Sequence, residues 1–381
     1  MADYKKYQSD GVSAEDKALD KFAELMIEKI ESLKNSDSWK QPWFTEGSLR
    51  WPRNLSGREY NGMNALLLMM LCEKQNYKLP VFCTFNRAVG LNYTTDKQGA
   101  KKPITDADGQ PLPRVGINKG EKSFPVMLTT FTVVDKDTKE KINYEDYKRL
   151  SNDEKAQYNV YPKLNVYQVF NVDQTNLKEA RPDLYAKLES ENKLQRPFSG
   201  EGESFKFPAM DAMIAENKWI CPINLVHQDN AYFSISKNQI TLPEKSQFKD
   251  GESFYGTAFH EMTHSTGTAE MFNRFNPESG FGSAEYAKEE LVAELGSALV
   301  AQRYGMTKNL KDDSAVYMKS WLDSLKESPS FIKTTLMDVK RATSVITQRI
   351  DEVALELEAK QSQTNDKSVS MDAEAKVEKP Q

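Results

Sequence analysis

The sequence predicts an α+β protein of two domains, and three observations carry that prediction. Its 381 residues exceed what a single core usually organises. Strand-like segments at 124–134 and 164–172 lie in the first half, whereas helical periodicity dominates the second. Between them, residues 176–204 are polar and broken by Arg-Pro, Ser-Gly and Gly-Glu-Gly steps. This reads as a linker between a mixed α/β domain at 13–175 and a mostly helical domain with a small sheet at 205–357.

In chain order, residues 1–12 read as a disordered lead. Ser13 and Asp16 frame a capping box, and Leu19, Phe22, Ala23, Met26, Ile30 and Leu33 share one helical face that ends near Asn35. The stretch WKQPWFTEGSLRWPRN holds three tryptophans and two prolines and reads as an ordered aromatic loop. Residues 62–72 are short, apolar and followed by polar residues, as in a buried helix. Residues 79–85 and 124–134 are rich in β-formers. The charged stretch 135–160 reads as a solvated excursion before the strand at 164–172.

The second domain opens with a short helix near 209–217. Residues 231–242 alternate as one half-buried strand, ended by Pro243. Residues 252–266 form a helix stopped by Gly267, and further helices follow near 284–304, 314–325 and 330–357. From residue 358 the chain has almost no large apolar residues and is expected to be disordered.

Composition excludes several classes. Hydrophobic residues make up 39% and charged residues 28%, as in ordinary soluble domains. No apolar run approaches the roughly 18 residues that a membrane span needs. The polar, acid-containing N-terminus lacks the features of a secretory signal. Cys72, Cys83 and Cys221 are scattered without a CxxC pair, which suits a reduced cytoplasmic setting. A net charge of −5 argues against wholesale nucleic-acid binding, yet residues 51–130 carry 11 Lys and Arg against 6 acids.

The chemistry centres on His260-Glu261-Met262-Thr263-His264, an HExxH motif. On a helix, positions i and i+4 lie one turn apart on one face, so both imidazoles can reach one Zn2+. Glu261 is then placed as general base toward the attacking water. The chain has only three histidines, and two of them form this motif. A third protein ligand is required. Glu270 stands where a histidine would complete an extended HExxHxxGxxH pattern. Glu290 and Glu294 share a face of the next helix, where the first carboxylate would bind metal and the second would orient a ligand histidine. Glu290 is the favoured ligand, with Glu289 open because the doublet leaves the register uncertain by one residue. Tyr286, one turn before Glu290, is the candidate transition-state donor, ahead of Tyr232 and His227. The strand at 231–242 is a candidate edge for pairing with an extended peptide.

With ITLPEKSQF, YGTAFHEMTHSTG and YAKEELVAELGSA in that order, and WKQPW, PRNLSGREYNGMNALLL, FCTFNRAVGL and VGINKGEKSFPVML before them, the chain resembles the ArdC-type antirestriction proteins of conjugative plasmids and mobile elements. The match covers about residues 15–355. The resemblance implies a single-stranded-DNA-binding domain joined to a zincin-like metallopeptidase domain, with His260, His264 and Glu290 as Zn2+ ligands and Glu261 as catalytic base. It implies DNA contacts from the N-terminal motifs, in which Asn54, Arg58, Tyr60, Asn64, Lys119 and Lys122 are the polar and aromatic candidates. Residues 92–113 read as a local insertion. The implied setting is protection or establishment of incoming single-stranded DNA, and the peptidase substrate would be an unidentified protein or peptide. A DNA-binding protein whose zinc site is structural or catalytically silent is the rival reading. A hydrolase unrelated to DNA is a third.

Overall fold

The computed structural model describes residues 13–35, 51–60, 62–96, 98–192, 205–275, 283–306 and 317–375. The expected lead at 1–12, and the aromatic loop up to residue 50, lie outside them. In chain order the elements are α1 (Ala14–Asn35), β1 (Arg53–Asn54), α2 (Gly62–Gln75), β2 (Val81–Cys83), α3 (Phe85–Gly90), β3 (Tyr93–Thr95), β4 (Lys101–Pro103), β5 (Phe124–Asp135) and β6 (Lys141–Ile142). Then come α4 (Tyr144–Arg149), α5 (Asn152–Lys155), β7 (Tyr158–Asn171), α6 (Leu177–Ala180), α7 (Pro182–Glu191), α8 (Pro208–Ala215), β8 (Ile223–Val226), β9 (Tyr232–Ser234) and β10 (Gln239–Pro243). The helices α9 (Gly251–Ser265), α10 (Ala284–Arg303), α11 (Met318–Glu327) and α12 (Pro329–Ala375) complete the order. The described residues thus form an α+β architecture.

They fall into two compact units. One draws on residues up to Leu25, Pro52–Glu59 and Tyr77–Glu191; the other draws on Met26–Trp51, Tyr60–Asn76 and residues from Asn192 onward. The capping box at Ser13 is present, with Asp16 N donating to Ser13 Oγ at 3.0 Å, and the expected apolar face of α1 is buried. The sequence reading places all of α1 and α2 in the first domain. By its contacts α2 goes with the second unit, where it packs on α12. Leu66 to Met70 are all buried, so the middle of this helix has no polar face to leave in water.

The first unit is built on a five-stranded sheet in the order β1-β2-β7-β5-β6. Its spine is the antiparallel β5–β7 pair, running from Phe124 opposite Val169 to Asp135 opposite Tyr158. The stretch expected as a solvated excursion is ordered. Asp135 Oδ1 accepts from the amides of Asp137 and Thr138, both at 2.9 Å, and Asn143 and Ser151 cap the short α4 and α5. These two helices bury no residues; local capping secures their starts, and Tyr144 of α4 stacks on Phe131 of β5. Residues 92–113 hold the β3–β4 hairpin. Part of the expected linker is also packed structure: Leu177, Ala180, Tyr185 and Leu188 of α6 and α7 are buried with Leu79, Val81, Val115 and Val172. The last segment of the first unit ends at Glu191.

In the second unit, β10 lies between β8 and β9, parallel to β8 and antiparallel to β9. The single strand expected at 231–242 is therefore two strands. Asn238, in the left-handed region at φ 45°, reverses the chain between them; Asn accepts that conformation more readily than most residues. Phe254, Phe259, Ile240, Leu242, Val300, Ile346 and Ile350 form one buried cluster that ties α9, the sheet, α10 and α12 together. The last helix runs on to Ala375, past the end expected near residue 357; once nucleated, a helix extends at little cost per residue. Among the described residues, no helix is long and apolar enough to cross a membrane.

Candidate metal centre

The helix α9 begins where Asp250 accepts a hydrogen bond from Ser253 N at 2.7 Å. Its apolar side, Phe254, Tyr255, Ala258, Phe259 and Met262, is fully buried. That burial fixes the rotation of the helix and turns His260 and His264 toward α10. The two helices approach closely at Gly296, where an added Cβ would lie 2.8 Å from Thr263 Cγ2. Trp321 Nε1 donates to Ala287 O at 2.6 Å and anchors the first turns of α10.

Three side chains then converge. His260 Nε2 and His264 Nε2 are 3.1 Å apart. Glu290 places Oε2 3.5 Å from His260 Nε2 and Oε1 3.7 Å from His264 Nε2. Four ligands at about 2.0–2.1 Å around a tetrahedral ion lie about 3.3 Å from one another. The observed separations match that edge, so the donor set fits a single divalent ion. Among the described residues, His260, His264 and Glu290 form the one such group of metal-ligating side chains.

The outer face of each imidazole meets a carboxylate. Glu294, fully buried, places Oε1 3.5 Å from His260 Nδ1. Glu289 places Oε1 3.1 Å from His264 Nδ1. At His264 the acceptor at Nδ1 holds the proton there and leaves Nε2 free to ligate, whereas Glu294 lies beside His260 Nδ1 at ion-pair distance. Glu289 is itself gripped by Arg274, whose Nε donates to Oε2 and Nη2 to Oε1, both at 2.9 Å. The same guanidinium donates to Thr263 O at 2.8 Å and Thr266 Oγ1 at 2.9 Å, locking the loop after α9 to both helices.

Electrostatics follow from this packing. Burial opposes the protonated form of His264, but Glu289, Glu290 and Glu261 outweigh it and raise its proton affinity. Burial also disfavours the Glu289 carboxylate, yet hydrogen bonds from Arg274 and His264 hold its pKa below the usual value. Tyr286 is pushed well up, first by burial and then by the Glu290 carboxylate with which it hydrogen-bonds, so its hydroxyl stays protonated as a donor.

The structure thus brings together His260, His264 and Glu290, with Glu294 and Tyr286 against them and Glu261 buried next to His260. Glu289 faces the outer nitrogen and not the ligand cluster, and Glu270 is exposed. His227 pairs with Glu244 at 3.4 Å, and Tyr232 is exposed on β9; neither joins the group. Arg274 escaped the sequence reading. The one signal available was a second acid beside Glu290 that needed a countercharge.

The DNA candidates are more dispersed. Asn54, Arg58, Lys119 and Lys122 belong to the first unit, Tyr60 and Asn64 to the second. Asn54 Oδ1 accepts from Ser56 N at 2.9 Å and Arg58 N at 3.0 Å, which gives it a turn-forming role. Arg58, Lys119 and Lys122 are exposed, whereas Tyr60 and Asn64 are half-buried.

Two family models match this chain. Residues 16–170 match the N-terminal domain of the anti-restriction factor ArdC, and residues 208–336 match a zincin-like metallopeptidase. The chain thus joins an ArdC-type N-terminal domain to a zincin-like metallopeptidase domain. The second match spans α8 to α12 and so contains the whole centre. Two Escherichia coli proteins named DNA primase TraC are similar, one 29% identical over 352 residues and the other 25% identical over 365. The alignments cover 90% and 95% of this chain but only 20% and 29% of those proteins, so the chain spans less than a third of their length. Among solved structures, the antirestriction ArdC protein of plasmid R388 shares the fold in its metal-free and Mn(II)-bound forms, each with a TM-score of 0.58 at 22% identity. These cover 88% and 87% of this chain and 98% and 97% of the R388 chain.

Proposed function

We propose that this ArdC-type chain is a metal-dependent peptidase of zincin type joined to a domain that binds single-stranded DNA, and that it protects incoming DNA during transfer between cells. The observation that supports the peptidase reading most directly is the convergence of His260 Nε2, His264 Nε2 and Glu290 at separations of 3.1–3.7 Å. Zn2+ is the proposed ion, since two imidazoles and one carboxylate leave a fourth position open. When bound, it would supply Lewis acidity toward a peptide carbonyl.

The chain's own residues account for the remaining steps. The Glu261 carboxylate takes a proton from the attacking water and returns it to the leaving amine. The Tyr286 hydroxyl donates toward the oxygen that gains charge. Glu289 holds the Nδ1 proton of His264, and Glu294 places a carboxylate beside Nδ1 of His260. The three cysteines are buried and form no disulfide, in keeping with a reducing, intracellular setting.

The test is Glu261→Gln in the full chain, assayed on an unfolded polypeptide mixture with Zn2+ present, alongside protection of single-stranded DNA from a restriction nuclease. Cleavage should disappear while metal content stays unchanged. Equal cleavage by the variant would overturn the assignment of Glu261. Protection that survives without cleavage would favour a DNA-binding protein with a catalytically silent site.

A further inference from the structure

The β5–β7 ribbon has two unlike faces. In an antiparallel pair, directly opposed residues point to the same side, and successive residues alternate. On one side Phe131 stacks on Tyr144 of α4 at 4.2 Å between centroids, and Tyr147 and Tyr158 continue that cluster. The other side is buried at its inner end, at Phe124, Val126 and Val169, and open beyond it. It carries Leu128 (40% exposed), Tyr161 (56%) and Tyr167 (43%) together with exposed Lys163. Lys141 of β6, opposite Val134, falls on this side as well. No β5, β6 or β7 residue of this face is acidic, in a chain whose net charge is −5. Between the two tyrosines, Asn165 Nδ2 donates to Thr130 Oγ1 at 2.9 Å.

Aromatic rings left in water on a polar, cationic surface are a poor protein core but a good stacking platform. Unpaired bases offer a π-face to each ring, and the phosphates between them find lysines. Tyr161 and Tyr167 lie six residues apart on one strand, about 20 Å at 3.3 Å per residue. A short run of extended single strand bridges that distance. A duplex does not fit this surface, because its base faces are already stacked.

We propose that the open face of this ribbon binds single-stranded nucleic acid, with bases stacked on Tyr161 and Tyr167 and phosphates held by Lys141 and Lys163. The proposal rests on the DNA-binding reading of the first domain and moves the principal contact away from Asn54, Arg58, Lys119 and Lys122.

The experiment uses the full chain and a fluorescently labelled oligothymidylate, followed by anisotropy over a series of salt concentrations. The double variant Tyr161→Ala/Tyr167→Ala should bind at least about tenfold more weakly. Tyr161→Phe/Tyr167→Phe should bind like the parent, since the rings remain. Lys141→Gln/Lys163→Gln should flatten the salt dependence by about 0.7 per lysine in the log–log slope. Zn2+ uptake by the second unit reports that each variant is folded there, and circular dichroism checks the ribbon. Undiminished binding by the Ala variant would overturn the ribbon site while leaving the DNA-binding reading intact. Loss of binding in the Phe variant would overturn stacking as the mode. A parent protein that does not bind the oligonucleotide at moderate salt would overturn both readings.

Discussion

Glu289 Oε1 lies 3.1 Å from Nδ1 of His264, on the opposite side of the ring from Glu290. Two neighbouring glutamates thus face the two nitrogens of one imidazole, Glu290 from within the donor group and Glu289 as orienting acceptor. Arg274 holds the orienting acid by two hydrogen bonds of 2.9 Å. Removing the guanidinium, as in Arg274→Met, leaves a buried carboxylate without its countercharge and lets the His264 ring turn. Metal affinity, measured by competition with a chelator, should fall by about 10–100-fold. Unchanged affinity would mean that the clamp serves the loop and not the ligand.

Metal uptake should also depend on pH in a defined sense. A ligating histidine must be neutral, and the acids around His264 raise its proton affinity above the ordinary imidazole value. Protons therefore compete with the ion from a higher pH than they would at an isolated histidine. Affinity should decline as the pH falls, beginning from a higher pH than at an ordinary imidazole. In Glu289→Gln the midpoint of that decline should move to lower pH, while the plateau affinity drops. Chelator competition at a series of pH values reads both.

The contact between α9 and α10 gives a stability prediction. A methyl group at position 296 would meet Thr263 Cγ2 at 2.8 Å, inside normal contact distance. Gly296→Ala should destabilise the second unit by about 1–3 kcal/mol and weaken metal binding by pushing Glu290 away. The pair Gly296→Ala/Thr263→Ala should recover part of the loss, because the crowded side chain is removed. Thermal unfolding of the three variants decides the matter.

Tyr286 separates binding from chemistry. Its ring carries a protonated hydroxyl beside Glu290. Tyr286→Phe should keep the ion with near-parental affinity and lower the cleavage rate by about 10²-fold, as loss of one oxyanion donor does elsewhere. A large loss of metal in this variant would show that the hydroxyl supports Glu290 instead.

Much of the centre was legible because its geometry is local. The spacing of His260 and His264 encodes a shared helix face, and Glu290 and Glu294 do the same on α10. Leu19 through Leu33 likewise announced the buried side of α1. Features built from distant residues were not legible. Arg274 reaches Glu289 from a loop fifteen residues earlier in the chain, and no periodicity records that approach. In YFSISKNQITL short alternating stretches flank the polar SKNQ without a Gly or Pro to mark the turn, so β9 and β10 read as one strand. In α6 and α7 a few apolar residues carry the packing, and the polar remainder disguised them as linker. The open face of the β5–β7 ribbon depends on which side α4 covers, and only tertiary structure decides that.

Whether the donor set on α9 and α10 holds an ion is decided by the metal content of the purified full chain, measured by elemental mass spectrometry before and after His264→Ala. This account predicts about one equivalent of Zn2+ per chain in the parent, in line with one three-residue donor set, and near-complete loss in the variant with the fold retained by circular dichroism. A parent that takes up no divalent ion, or a variant that keeps its full equivalent, would contradict it.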